Sequence, residues 1–182
     1  GCNLQCRLCD TDYTTHRKRM TPKQAAARVT EVRSSLGIDL VVLTGGEPLR
    51  QCIGPFVYEL LDGGYRVQIE TNGTYFRSDL PFDNPKFSIV CSPKAAFINA
   101  QLQPYIGALK YVVQSGHIDP RDGLPRDTLG MKCGVGRPGP QWRGDMYVQP
   151  LDEGELPANG DNQAAAIHSC MTFGYPFCLQ VQ

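Results

Sequence analysis

No stretch of this chain approaches the roughly 20 consecutive apolar residues of a membrane span, and nothing resembling a signal peptide opens it. Net charge is missing too. Its 18 lysines and arginines balance 18 aspartates and glutamates, so the basic excess of a nucleic-acid-binding surface is absent. The one basic run, His16-Arg17-Lys18-Arg19, is short and reads as a solvated loop. There is no internal repeat and no low-complexity tract. These absences predict a cytoplasmic protein with neither a membrane nor a nucleic acid as partner.

Cysteine is plentiful, at eight residues. Small secreted domains use many cysteines for disulfides, but a chain of 182 residues can bury a sizeable core without them. In a chain with helix and strand patterns, clustered cysteines point instead to metal or redox chemistry. The ends are abrupt. Gly1-Cys2 begins directly on the most informative motif, there is no starting methionine, and Gln182 ends a strand-like run. The expectation is a single domain over residues 1–182 that lacks its first strand and a short C-terminal tail.

Hydrophobic periodicity predicts alternating helices and strands. Thr21-Pro22-Lys23-Gln24 reads as a capping box opening a helix to about Leu36, ended by Gly37. Ile38–Leu43 is a short apolar run of the kind found in buried parallel strands. A helix is expected near Phe56–Asp62 and another over Asp161–Phe173. Further strands are expected at Tyr65–Ile69, Phe87–Val90, Leu109–Val113, Met146–Val148 and Phe177–Val181. Ser115–Asp145 is rich in glycine and proline and reads as an irregular excursion.

Polar residues recur after successive strands: Thr44-Gly45-Gly46-Glu47-Pro48, Glu70-Thr71-Asn72-Gly73-Thr74, Ser92-Pro93-Lys94, Gln114 and Gln149-Pro150. In a parallel barrel the C-terminal strand ends meet on one face, where sites are built. Six strands are too few for an eightfold barrel. The fold class is therefore α/β, a partial, TIM-like parallel β/α barrel.

Cys2, Cys6 and Cys9 are spaced C-x3-C-x2-C, which lets one loop wrap three thiolates around a metal centre. Iron–sulfur clusters usually take four protein cysteines; three leave one iron open to an outside ligand. The same cysteines with a remote fourth ligand such as His16 would make a zinc site, and spacing alone leaves that reading open. The spacing resembles the signature of the radical S-adenosylmethionine superfamily. Gly45-Gly46-Glu47-Pro48 after a strand resembles that superfamily's second motif, and the two together disfavour zinc. Cys52, Cys91, Cys133, Cys170 and Cys178 are scattered and read as small buried hydrophobes.

A longer ordered series is similar to the 7-carboxy-7-deazaguanine synthase family: Cys9-Asp10-Thr11, Val42 to Pro48, Gln68 to Thr74, Cys91 to Lys94, Asp119 to Pro125, Tyr147 to Asp152 and Cys178-Leu179-Gln180. The resemblance implies a radical ring contraction of 6-carboxy-5,6,7,8-tetrahydropterin to 7-carboxy-7-deazaguanine, with ammonia released, in queuosine biosynthesis. It implies a 4Fe–4S cluster on Cys2, Cys6 and Cys9. It implies S-adenosylmethionine held by Leu8, Asp10, Gly46, Ser92, Pro93, Lys94, Gln149, Pro150, Leu151 and Asp152. Thr44 would touch the pterin and Thr11 would bind Mg2+. The radical would arise at the cluster, so no side chain is assigned as catalytic. A homodimer and an electron donor such as a flavodoxin are implied as partners.

Two departures concern the substrate. The family's N-terminal strand and glycine-rich loop have no counterpart in this chain, and Gln182 stands where the family often has histidine. The competing readings are another radical enzyme, such as a glycyl-radical activase, and a non-catalytic zinc- or cluster-binding module. Without the resemblance, Thr11 reads as a turn cap, Lys94 as a surface ion-pair partner, and Glu70 and Asn72 as residues shaping the turn at Gly73.

Overall fold

A computed structural model describes residues 1–9, 11, 12, 15, 18–33, 37–127 and 129–179. Five parallel strands stand side by side in chain order: β1 (Leu40–Leu43), β2 (Arg66–Thr71), β3 (Phe87–Cys91), β4 (Ala108–Val113) and β5 (Asp145–Pro150). Sequential parallel order with outer helices is the winding of a barrel, here left open. Phe177 pairs in parallel with Val148, and Cys178 donates its N–H to Val148 O at 2.9 Å. The expected last strand thus begins on β5 as an isolated bridge, and its end, from residue 180, lies outside the described residues.

Alternation along the strands separates two environments. On β2, Val67, Ile69 and Thr71 are buried while Gln68 and Glu70 are half-buried. On β4, Leu109, Tyr111 and Val113 are buried while Lys110 and Val112 line a cavity. One face therefore makes the core with the helices, and the other leaves room for polar side chains. The core joins Val57 and Leu60 of helix α2 (Gly54–Asp62) to Val67, Ile69, Ile89, Leu109 and Tyr111. Burying such side chains is the main favourable contribution to folding.

Helix α1 (Pro22–Arg33) opens as its sequence requires. Thr21 N–H donates to Gln24 Oε1 at 2.9 Å and Gln24 N–H to Thr21 Oγ1 at 3.3 Å, a reciprocal capping box. The expected end at Leu36 lies outside the described residues. Helix α3 (Leu156–Phe173) starts earlier than the expected Asp161. Pro157 occupies the first turn, where no N–H is needed, and Gly160 is carried inside the helix. The helix ends at Gly174, whose φ of 78° makes the left-handed cap that glycine favours.

The excursion between β4 and β5 lacks regular structure but not order. Arg137 pins it: Nε and Nη2 reach Asp122 at 2.7 and 3.2 Å, and Nη1 donates to Pro125 O and Val135 O at 3.1 and 2.9 Å. Its guanidinium lies 5.6 Å from the Tyr111 ring centre. Tyr111 in turn donates its hydroxyl to Gly136 O at 2.9 Å, and Tyr175 to Asp122 O at 2.8 Å. Replacing Arg137 by leucine strips two carbonyls and one carboxylate of their donor, at a cost of about 2 kcal/mol. Arg137→Leu is expected to lower the melting temperature and to speed tryptic cleavage within residues 115–144.

Candidate functional site

A cavity of about 480 Å³ opens at the C-terminal ends of the strands, within the usual size range of cofactor pockets. Cys2, Cys6 and Cys9 line it from the N-terminal loop. That loop is held at several points by other strand-end segments. Glu47 N–H donates to Gly1 O at 3.1 Å, Arg50 Nη1 to Cys2 O at 2.7 Å, and Asn3 Nδ2 to Thr74 Oγ1 at 3.0 Å. From the excursion, Leu129 O accepts Arg7 N–H and Leu8 N–H at 3.0 and 3.3 Å. Leu129 adopts φ of 52°, a turn conformation that bulky side chains rarely accept.

Gly46 makes the closest approach. A Cβ there would stand 2.6 Å from the carbonyl carbon and oxygen of Gly1. The glycine is required because the turn after β1 and the cysteine loop touch backbone to backbone. Beside it, the almost fully buried Glu47 carboxylate accepts Leu49 N–H at 2.9 Å, Thr71 Oγ1 at 2.7 Å and Asn72 N–H at 2.8 Å. Burial pushes this carboxyl above its ordinary range, against the three donors and the more distant charge of Lys94.

The far wall comes from β3 and β5. Ser92, buried after β3, accepts Lys94 Nζ at 2.9 Å through its hydroxyl. Lys94 is half-buried and lines the cavity. Gln149 and Leu151 are buried in the cavity wall. Asp152 Oδ1 accepts Gly154 N–H at 2.8 Å and Asn159 Nδ2 at 2.7 Å, which hold its carboxyl below the ordinary range.

Of the expected contacts, Leu8, Thr11, Thr44, Gly46, Ser92, Lys94, Gln149, Leu151 and Asp152 line this one cavity with the three cysteines. Pro93 and Pro150 are buried and do not line it. Pro93 lies two residues after β3 and Pro150 is the last residue of β5, next to Ser92 and Gln149. Asp10 and Gln182 lie outside the described residues, as does His16.

Reasoning from sequence missed a charge pair. Lys110 Nζ stands 3.1 Å from Glu70 Oε2, both inside the cavity. Glu70 read as a turn residue, but it belongs to β2. Lys110 was detectable as the one charged residue in an otherwise apolar strand, Ala108-Leu109-Lys110-Tyr111-Val112-Val113. Two scattered cysteines also depart from expectation: Cys52 is exposed, and Cys178 lines the cavity, 4.0 Å from Gln149 Oε1. Cys91 is the buried small hydrophobe expected, its thiol pushed up to about 12 by burial. Cys133 and Cys170 are half-buried.

Three thiols carried on one loop are a donor set that a metal centre can use. Burial raises the Cys6 thiol; Lys94 opposes this, and Cys9 and Cys2 reinforce it, so the three sulfurs sense one another. Yet among the described residues no three histidine, cysteine, aspartate or glutamate side chains are grouped tightly enough to hold a single metal ion. Among the described residues no helix is long and apolar enough to cross a membrane.

Comparison with known proteins agrees with this geometry. The family model for the radical SAM superfamily matches residues 1–83. A 7-carboxy-7-deazaguanine synthase of Rhodospirillum rubrum is 47% identical over 189 aligned residues, covering 100% of this chain and 78% of that protein. Its counterpart in Rickettsia prowazekii is 34% identical, covering 99% and 74%. Among solved structures, QueE from Escherichia coli superposes with a TM-score of 0.65 at 21% identity, over 100% of this chain and 82% of that one. Streptococcus suis SuiB bound to S-adenosylmethionine gives 0.59 at 12%, over 99% and 48%. These two likenesses show the fold.

Glu47 provides a test of the frame. Because its carboxyl is raised in the folded state, the folded protein keeps a proton that the unfolded chain releases. Its contribution is greatest below the ordinary carboxylate pKa and declines as pH rises towards the raised value. Glu47→Gln also turns an amide N–H towards backbone donors, costing about 1–3 kcal/mol. Melting curves across pH should show the wild type ahead of Glu47→Gln, with the gap widest at the acid end. A gap that widens with rising pH contradicts the assignment.

Proposed function

The chain belongs to the 7-carboxy-7-deazaguanine synthase family of radical S-adenosylmethionine enzymes, and on that premise we propose how its cavity carries out the family's ring contraction of 6-carboxy-5,6,7,8-tetrahydropterin. The observation that carries the reading is convergence. Residues as far apart in sequence as Cys2 and Asp152 line one cavity at the strand ends.

The family implies a 4Fe–4S cluster and S-adenosylmethionine. Cys2, Cys6 and Cys9 would hold the cluster. When bound, the pair supplies a one-electron cleavage that generates a carbon radical able to take hydrogen from the substrate. Gly46 lets backbone approach the methionine end. Lys94 Nζ and the Ser92 hydroxyl, 2.9 Å apart, offer charge and a hydrogen bond on the β3 side; Gln149 and Asp152 offer polar groups on the β5 side, where Leu151 adds an apolar surface. Thr44, at the end of β1, faces the pterin. Glu70 and Lys110 set an acceptor and a donor side by side for the polar edge of the heterocycle. Leu4, Leu8, Val112 and Leu129 line the same space and limit water around a reactive carbon centre.

Thr11 is proposed as a Mg2+ ligand through its hydroxyl. Magnesium prefers oxygen, keeps several waters and would take the substrate carboxylate as a further ligand. A second copy of the chain and a one-electron donor of the flavodoxin class complete the proposed assembly.

The direct test is anaerobic reconstitution with iron and sulfide. The protein is then incubated with reductant, S-adenosylmethionine, Mg2+ and the carboxytetrahydropterin, and analysed by mass spectrometry. The wild type should form 7-carboxy-7-deazaguanine, and Cys6→Ala should form none. Cleavage of S-adenosylmethionine with the pterin left unchanged contradicts the substrate assignment. In the same assay Thr11→Ala should retain its cluster absorbance and lose most of the stimulation by Mg2+. An unaltered Mg2+ response removes Thr11 as a ligand.

A further inference from the structure

Asn72 follows the last residue of β2 and is buried in the wall that it shares with Cys2. The direction of its amide is fixed by its neighbours. Oδ1 accepts the backbone N–H of Thr74 at 3.0 Å and the Thr74 hydroxyl at 2.6 Å. A backbone N–H is met only by an acceptor, so oxygen faces Thr74 and the amide nitrogen faces the cysteine loop. There Nδ2 lies 3.0 Å from Asn3 Oδ1 and 3.9 Å from Cys2 Sγ. Asn3 Nδ2 returns to Thr74 Oγ1 at 3.0 Å, which closes a ring of three side chains. Leu4 N–H points at the same sulfur from 3.4 Å. Cys2 Sγ is therefore addressed by one donor from its own loop and one from the barrel.

An N–H aimed at a thiolate ligand stabilises the more negative, reduced state of an iron–sulfur cluster, and such bonds are among the determinants of its potential. We propose that Asn72 is a positioning residue of the cluster: its amide N–H on the Cys2 thiolate makes the cluster easier to reduce, and the ring with Asn3 and Thr74 keeps the amide there. The proposal rests on the reading of Cys2, Cys6 and Cys9 as cluster ligands. Asn3, inside the cysteine motif, then serves to lock the loop onto the end of β2.

The test is the midpoint potential of the anaerobically reconstituted chain, measured by dithionite titration with mediator dyes and electron paramagnetic resonance. Asn72→Asp keeps an oxygen for both Thr74 donors while removing the N–H at Cys2 and adding negative charge. Asn72→Leu removes the N–H without charge. Reduction is expected to become less favourable by about three- to tenfold in Asn72→Leu, tenfold being 59 mV in a one-electron couple, and by more in Asn72→Asp. Thr74→Val leaves the donor in place but takes away a hydroxyl that anchors its oxygen. It should shift the midpoint the same way by less, and it guards against misfolding of the Asn72 variants. Wild-type midpoints in Asn72→Leu and Thr74→Val, with iron content retained, overturn the proposal. A wild-type chain that binds no cluster overturns the ligand assignment beneath it, a separate failure visible before any variant is made.

Discussion

Glu47 ties together three segments that meet at the C-terminal ends of β1 and β2. Its oxygens take the N–H of Leu49, the hydroxyl of Thr71 and the N–H of Asn72, fastening the turn after β1 to the end of β2. Its own N–H takes Gly1 O, fastening the cysteine loop to both. A buried carboxylate is expensive unless its acceptor sites are met, so this arrangement tolerates little slack. The closeness of Gly46 to Gly1 follows from it.

From that fixed corner the rest of the site follows from the periodicity of parallel strands. Alternate residues on β2 and β4 turn to opposite faces, so Ile69 and Leu109 reach the core while Glu70 and Lys110 reach the cavity. The barrel can thus carry a polar, reactive interior without weakening its apolar layer. The excursion between β4 and β5 closes the arrangement from above. Arg137 anchors it to Asp122, and Leu129 O clasps the backbone of the cysteine loop.

Much of this was readable from the residues. Every expected strand from β1 to β5 is present within a few residues of its expected bounds, because short β-branched runs between glycine-marked turns leave few alternatives. The capping box at Thr21 was correct for the same local reason. The early start of α3 was hidden because Pro157 and Gly160 look like breakers until the first turn is seen to need no N–H. The Glu70–Lys110 pair was hidden because 40 positions separate its partners, and only the sheet brings them together. The cysteine and Gly-Gly-Glu-Pro motifs suggest chemistry by their spacing, Ser-Pro-Lys only through the family resemblance, whereas the amide ring through Asn3, Asn72 and Thr74 depends on orientations no spacing reveals.

A 4Fe–4S cluster held by Cys2, Cys6 and Cys9 alone would leave one iron open at the mouth of the barrel. The measurement that tests this most directly is electron paramagnetic resonance of the reduced, reconstituted chain with and without S-adenosylmethionine, alongside its metal content. Iron and sulfide are expected in the proportions of one 4Fe–4S cluster per chain, with a signal that changes when S-adenosylmethionine is added. Bound zinc, or a cluster signal indifferent to S-adenosylmethionine, would contradict this reading.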